Sequence, residues 1–396
     1  MKVLVTGGAG FIGTWLVAKL PADTDIVIVD CLDEQVHGGS REVPPVLARA
    51  DFIRADIRDT HLYASAAEGA DVVVHLAAQT GTGQSMYETS RYLQHNVYGT
   101  ERLLELIGSL KRSVRRIILA SSRAVYGEGS YGDTTEPFAG AGRRLSDLRA
   151  GRWAVRGPDG KDLTALPMRE DHATRPTSVY GLTKLRQEKL VESFARSTGL
   201  DFLVLRLQNV YGPGQALGNP YAGIVGIFVD AVAREQTIDL FEDGEITRDF
   251  VYVEDVADAL LRAICHPEPL GVVLNCGSGI ATTLRKLLGQ IEVVVGKKSE
   301  TRCPGTFRIG DVRHAVADMQ RYRQVFGSWT PTDLDTGLRR YLDWYLSQPQ
   351  VRRTSVRRAA AELEEHGLLG YASPGTAQAA LVVPAEDRQA SRPCRA

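Results

Sequence analysis

Tyr180 and Lys184 stand four residues apart in Ser178-Val179-Tyr180-Gly181-Leu182-Thr183-Lys184. On a helix that spacing puts both side chains on one face. A phenol with a pKa of about 10 is a poor base at neutral pH. An adjacent ammonium favours the phenolate. The pair therefore suits hydride chemistry on an alcohol, which needs a base for the hydroxyl proton. Taken alone, a Tyr-x-x-x-Lys spacing is frequent by chance. A third group stands in Ser121-Ser122-Arg123-Ala124-Val125-Tyr126-Gly127, directly after an apolar run. A hydroxyl at the carboxyl edge of a strand, where parallel sheets bind ligands, can donate to a substrate oxygen.

Hydride chemistry needs a carrier, and the first residues of the chain offer a place for one. In Val3-Leu4-Val5-Thr6-Gly7-Gly8-Ala9-Gly10-Phe11-Ile12-Gly13 a short apolar strand enters a helix through Gly8-x-Gly10-x-x-Gly13. Such a turn holds a dinucleotide pyrophosphate: glycine permits the tight bend, close approach of backbone N–H groups, and close helix–strand packing. Asp30 ends the next strand, where a carboxylate accepts hydrogen bonds from both ribose hydroxyls of NAD and repels the 2′-phosphate of NADP.

Apolar runs at 3–6, 26–30, 52–56, 72–76, 117–121 and 202–207 alternate with helical patterns at 11–20, 93–110 and 179–197. Strands apolar throughout and separated by helices imply a doubly wound parallel sheet of the Rossmann type, covered on both faces. We expect this NAD-binding domain to span 1–210, with 246–272 returning to it. A smaller mixed α/β lobe that binds substrate is expected at 211–245 and 273–349, and a charged helix with a disordered tail at 350–396. The polar stretch between Glu128 and Ala173 is long for a loop and reads as functional or disordered. The formal net charge of −1 gives no reason to expect nucleic acid or a membrane surface. No apolar run approaches the roughly 20 residues that cross a bilayer. The opening strand and turn do not read as a signal peptide, so a cytoplasmic location is expected. Five scattered cysteines without a Cys-x-x-Cys pair argue against zinc or a disulfide framework.

Together these motifs resemble the extended short-chain dehydrogenase/reductases, in the NAD-dependent nucleotide-sugar epimerase/dehydratase family. The resemblance rests on residues 6–13, Asp30, Asp56-Ile57, His75-Leu76-Ala77-Ala78, Asn96, Ser122, Tyr180/Lys184, residues 206–212 and residues 244–256. It implies that Gly7, Gly10, Phe11, Ile12, Gly13 and Asp30 hold NAD, with Asp56 and Ile57 at the adenine. Leu76, Ala77 and Ala78 would line the cofactor pocket, Asn96 would organise the site, and Lys184 would hold the nicotinamide ribose. Ser122 and Tyr180 would flank the reacting carbinol, Ser85 would lie by the substrate, and Asn209, Arg248 and Arg308 would hold its diphosphate. Phe241-Glu242-Asp243-Gly244 resembles the stretch beside the nucleobase.

Similar 4,6-dehydratases carry Asp-Glu directly after the hydroxyl residue. Arg123-Ala124 replaces that pair, so dehydration is disfavoured. The strings 83–88, 215–221 and 310–314 resemble those of 4-epimerases acting on dTDP- or UDP-linked sugars, such as the dTDP-L-rhamnose 4-epimerases. The alternatives are a 4-ketoreductase or dehydrogenase, and an NAD-binding regulator without chemistry. Arg123 is expected to face solvent, with a charged sugar substituent as the other option. In similar proteins the helices corresponding to 93–110 and the Tyr180 helix form a homodimer interface. The face Leu103, Leu106, Ile107 and Leu110 suits either that role or the core.

Overall fold

A computed structural model describes every residue except 41, 111–113, 133–136, 140–141, 218, 220–222, 349–355 and 374–396. Its centre is a seven-stranded parallel sheet. The strand order is Val272–Cys276, Asp201–Leu207, Arg116–Ser122, Val72–His75, Lys2–Thr6, Asp25–Asp30 and Asp51–Arg54. The chain builds outward from Lys2–Thr6 in one direction, then returns to its other side with Val72–His75. That reversal opens a crevice at the carboxyl ends of these two strands.

Alternate side chains of the strands feed two apolar layers. Val3, Val5 and Ile118 pack with Leu16 of helix Phe11–Lys19 and with Val256 and Leu260 of helix Val253–Cys265. On the other face Leu4, Val27 and Ile117 pack with Leu103 and Ile107 of helix Gly99–Ser109 and with Val191 of helix Val179–Thr198. Leu103, Leu106 and Ile107 are thus core residues, at most 7% exposed. The apolar side chains that the same helical region turns outward are Leu93, Tyr98 and Leu182.

The smaller lobe gathers helices Ile224–Ala233, Leu284–Val295 and Leu334–Ser347 around Phe228, Val232, Leu287, Leu338 and Tyr341. It differs from the sequence expectation in two places, the first being 317–329, whose Ala317, Met319, Tyr322 and Trp329 pack in the core of the large sheet. Val272–Cys276, assigned to the smaller lobe except for its first residue, pairs with Asp201–Leu207 as the edge strand of the large sheet. Strand Thr247–Tyr252 links the lobes, pairing with Asn209–Tyr211 on one side and with Ala281–Thr283 on the other.

The described part of the 128–173 stretch is anchored. Strand Ser130–Gly132 pairs with Pro137–Ala139 and Ala165–Leu166. The Glu170 carboxylate accepts the Asn275 backbone N–H at 2.7 Å. The charged C-terminal helix spans Val356–Glu365 and is followed by strand Leu369–Tyr371, which pairs antiparallel with Thr306–Arg308. The expected disordered tail falls on 374–396, outside the described residues, as does Cys394. The four described cysteines are free. Among the described residues no helix is long and apolar enough to cross a membrane, and no group of side chains has metal-ligand geometry.

Candidate active site

The glycine turn forms a cradle that tolerates no side chains at its base. Gly7 has φ +72°, and a Cβ there would lie 2.6 Å from the Ala77 backbone N. A Cβ on Gly13 would lie 2.5 Å from the Gly8 carbonyl oxygen. Helix Phe11–Lys19 begins at Gly10 with no side-chain cap and no acidic residue in its first turn. Its leading N–H groups are therefore available to an anion, and the helix dipole favours one. Asp30 ends its strand beside this turn. One carboxylate oxygen accepts the Ala9 N–H at 3.0 Å and the other the Leu32 N–H at 2.9 Å. An ionised carboxylate has about four lone-pair sites, so acceptors remain for ribose hydroxyls. These features fit a dinucleotide.

Further along the crevice, partly exposed Leu76, Ala77 and Ala78 line the wall beside Gly7, as do Phe11 and Ile12 beside Gly13. Ile57 is 7% exposed, and its carbonyl accepts the Tyr63 hydroxyl. Asp56 is clasped by Arg58 at 2.8 Å, with His95 at 3.5 Å. Burial works against its charge, but His95 and Arg58 hold its carboxyl well below the usual range. Asn96 is fully buried on a π-helical turn, Leu93–Tyr98. Its amide bonds both backbone groups of Gln79 (2.7 and 3.0 Å) and the Thr183 hydroxyl (3.0 Å). Asn96 therefore ties the crevice wall to the Tyr180 helix instead of pointing at a ligand.

Ser122, Tyr180 and Lys184 converge at the carboxyl end of strand Arg116–Ser122. Ser178 caps the Tyr180 helix, accepting the Gly181 N–H at 3.1 Å, and the Ser85 hydroxyl accepts the Tyr180 N–H at 2.9 Å. The helix start is thus fixed from two sides. The Ser122 hydroxyl, which accepts the Ala124 N–H at 3.2 Å, favours the ionised form of the Tyr180 phenol. Lys184 Nζ donates to the Ala120 carbonyl at 2.9 Å and keeps further N–H donors. Burial raises the phenol above its ordinary pKa, opposed by the Ser122 hydroxyl and the charge of Arg123. Burial also pushes the Lys184 ammonium down to about 7, with Glu188 opposing. Arg123, which received no such part from the sequence, is the charge that opposes burial at the phenol.

Arg123 corrects a second expectation, because it does not project into solvent. The turn Arg123–Tyr126 directs it across the site, where its Nε donates to Asn209 Oδ1 at 2.8 Å. Arg248, on the strand that links the lobes, and Arg308, from the smaller lobe, approach the same place. They share Asp311, at 2.8 and 2.7 Å, one on each carboxylate oxygen. Asp311 received no role from the sequence; an acid three residues beyond Arg308 was the available signal. Arg308 also lies 4.8 Å above the Phe241 ring, and its Nε is buried without a hydrogen-bond partner among the described residues. Beside Phe241, Glu242 takes Arg143 at 2.6 Å and Arg313 at 2.7 Å. Arg143 carries the 128–173 stretch onto this end of the site. Beneath the catalytic strand the buried Arg206–Glu188 pair, at 2.8 Å, joins Ser121 to the Tyr180 helix. His75 and Arg206 stand in the strings that carry the resemblance, but neither that pair nor His75, held by Thr6 and Thr100, received a role from the sequence.

The model of the NAD dependent epimerase/dehydratase family matches residues 3–143 and 155–277. A dTDP-L-rhamnose 4-epimerase of Burkholderia thailandensis is 40% identical over 351 residues, covering 87% of this chain and 94% of that protein. Among solved structures, MoeE5 in complex with UDP-glucuronic acid and NAD superposes with a TM-score of 0.70 at 30% identity. That match covers 87% of this chain and 99% of the other. The UDP-glucose 4-epimerase of Thermotoga maritima with UDP-glucose gives the same TM-score, identity and coverages.

Proposed function

The chain belongs to the NAD-dependent epimerase/dehydratase family and is an NAD-dependent nucleotide-sugar 4-epimerase, and we propose from its residues how the reaction proceeds. The observation that carries the mechanism is one constellation: a hydroxyl, a phenol and a lysine at the crevice, an arginine pocket beside them, and no carboxylate at 123 or 124. The pocket takes the diphosphate of a dTDP- or UDP-linked sugar, because guanidinium groups fork onto phosphate oxygens. Ser122 donates to the C4 oxygen in both directions. Tyr180 accepts the C4 hydroxyl proton as the carbinol is oxidised and returns it on reduction. NAD, when bound, would supply hydride-transfer chemistry, and its positive ring would further favour the Tyr180 phenolate. Lys184 holds the ribose through its remaining donors. The resulting 4-keto sugar turns and is reduced on its other face, so cofactor is not consumed.

Ser122, Tyr180 and Lys184 are thus the proposed catalytic set. Gly7, Gly10, Gly13 and Asp30 are the proposed cofactor cradle, with Asn96 as a positioning residue. The proposed domain division keeps 1–210 and 246–272 together as the NAD-binding unit, now extended through Cys276 and joined by 317–329. Conversion of a nucleotide sugar to its C4 epimer with catalytic NAD tests the reading; net NADH accumulation instead means a dehydrogenase. We further propose a homodimer through the outward face bearing Leu93, Tyr98 and Leu182, which are 41, 48 and 42% exposed. Sedimentation is expected to show a dimer that Leu182→Asp converts to monomer. A wild-type monomer removes this proposal.

A further inference from the structure

Three arginines meet in the substrate pocket, and one carboxylate answers them. Arg248 and Arg308 occupy the two oxygens of Asp311. Arg123 makes no ion pair among the described residues; its Nε is spent on the neutral Asn209 side chain. The next ring of charges makes no ion pair with Arg123. Arg143 and Arg313 engage Glu242, and Arg313 also engages Asp243, while Glu128 lies against Arg143 at 3.6 Å. Arg123 also borders a small cavity with Thr82, Ala124, Ser178, Gly310 and Asp311, directly beside Ser122. The three arginines and Asp311 thus leave an excess of two positive charges, which the outer ring of two arginines and three carboxylates reduces to one, and a nucleoside diphosphate brings the opposite sign.

We propose that Arg123 is a substrate-binding residue that contacts the sugar-proximal phosphoryl group, completing a three-arginine clamp with Arg248 and Arg308. The proposal rests on the nucleotide-sugar reading above and deepens it. Burial, with Arg248 adding to it, pushes the Arg123 guanidinium down to about 9, so the free enzyme holds this cation at a cost that an incoming anion relieves. The position also gives the clamp a second effect. Its inner member adjoins the Ser122–Tyr180 pair, so seating the phosphate sets the distance of the sugar carbinol from the phenol.

The test compares nucleotide binding by NAD-loaded wild-type, Arg123→Met and Arg123→Gln proteins, using calorimetry at low salt. Probes are UDP, dTDP, UMP, dTMP and UDP-glucuronic acid. A charge-assisted hydrogen bond contributes about 1.5–3 kcal/mol, which corresponds to a roughly 10- to 150-fold affinity loss. We expect UDP and dTDP to weaken by that factor and the monophosphates by less than about threefold, with KM rising accordingly. Unchanged discrimination between diphosphate and monophosphate in whichever variant folds overturns the proposal. Loss confined to UDP-glucuronic acid assigns Arg123 to a sugar carboxylate and equally overturns it. If the wild-type protein binds neither UDP nor dTDP, the nucleotide-sugar reading itself fails.

Discussion

Replacing Gly13 by alanine places a methyl carbon 2.5 Å from the Gly8 carbonyl oxygen, 2.6 Å from its Cα and 2.7 Å from its carbonyl carbon. Ordinary contact begins near 3.4 Å. The helix start or the phosphate turn must therefore retreat by about 0.9 Å, and both are backbone, which has no rotamer to yield. Overpacking of this kind costs about 1–3 kcal/mol. The displaced N–H groups are those available to the pyrophosphate, so the same strain appears in NAD affinity as a loss of roughly 5- to 150-fold. The assay is cofactor content after purification, followed by calorimetric titration with NAD and a thermal melt. Gly289→Ala is the control. It lies in helix Leu284–Val295 with nothing near its would-be Cβ, and a gain of about 0.5–1 kcal/mol is expected. Wild-type NAD affinity in Gly13→Ala would refute the placement of the pyrophosphate on this turn.

Other perturbations probe the remaining parts of the site. Tyr180→Phe is expected to lower kcat by about 10²–10⁴ while NAD content stays within about twofold; a loss under tenfold removes the phenol from the base role. His75 is buried, and burial, with the Lys184 charge adding, depresses its pKa from 6.5 to about 3. The folded state therefore binds fewer protons, so this contribution is full above pH 6.5 and is lost as pH falls toward 3. By pH 4.5 about 3 kcal/mol is gone, and His75→Gln should remove that share of the pH slope in denaturant titrations. Equal slopes contradict it. Glu188→Ala leaves Arg206 buried without its carboxylate and should cost about 3–5 kcal/mol, whereas the double replacement Glu188→Leu/Arg206→Met should cost less. Additive losses would show that the pair does not act as a unit.

The order of small apolar strands, the glycine turn and Asp30 were legible because each reflects local chemistry: period, turn and strand end. Six sheet strands were read within two residues of their ends. Val272–Cys276 was missed because its apolar run ends after three residues at Asn275, and its place at the sheet edge is set by tertiary pairing with Asp201–Leu207. Ser122, Tyr180 and Lys184 were legible by residue type, but the electrostatics between them were not. Whether Lys184 or Arg123 sets the phenol depends on which elements bury each cation, and that is a tertiary fact. The same holds for Arg123, whose direction follows from a single turn and the approach of the Arg248 strand. Leu103 and Ile107 illustrate the remaining ambiguity, since an apolar helix face looks alike whether it meets its own sheet or a second subunit.

The central claim, epimerisation by transient oxidation at C4, is tested by a nucleotide sugar carrying deuterium at that carbon, incubated with the enzyme and catalytic NAD. Tyr180 handles only the hydroxyl proton, so the account predicts a C4-inverted product that keeps its deuterium, with no net NADH. Appearance of solvent hydrogen in the sugar skeleton, or loss of the label, would contradict it.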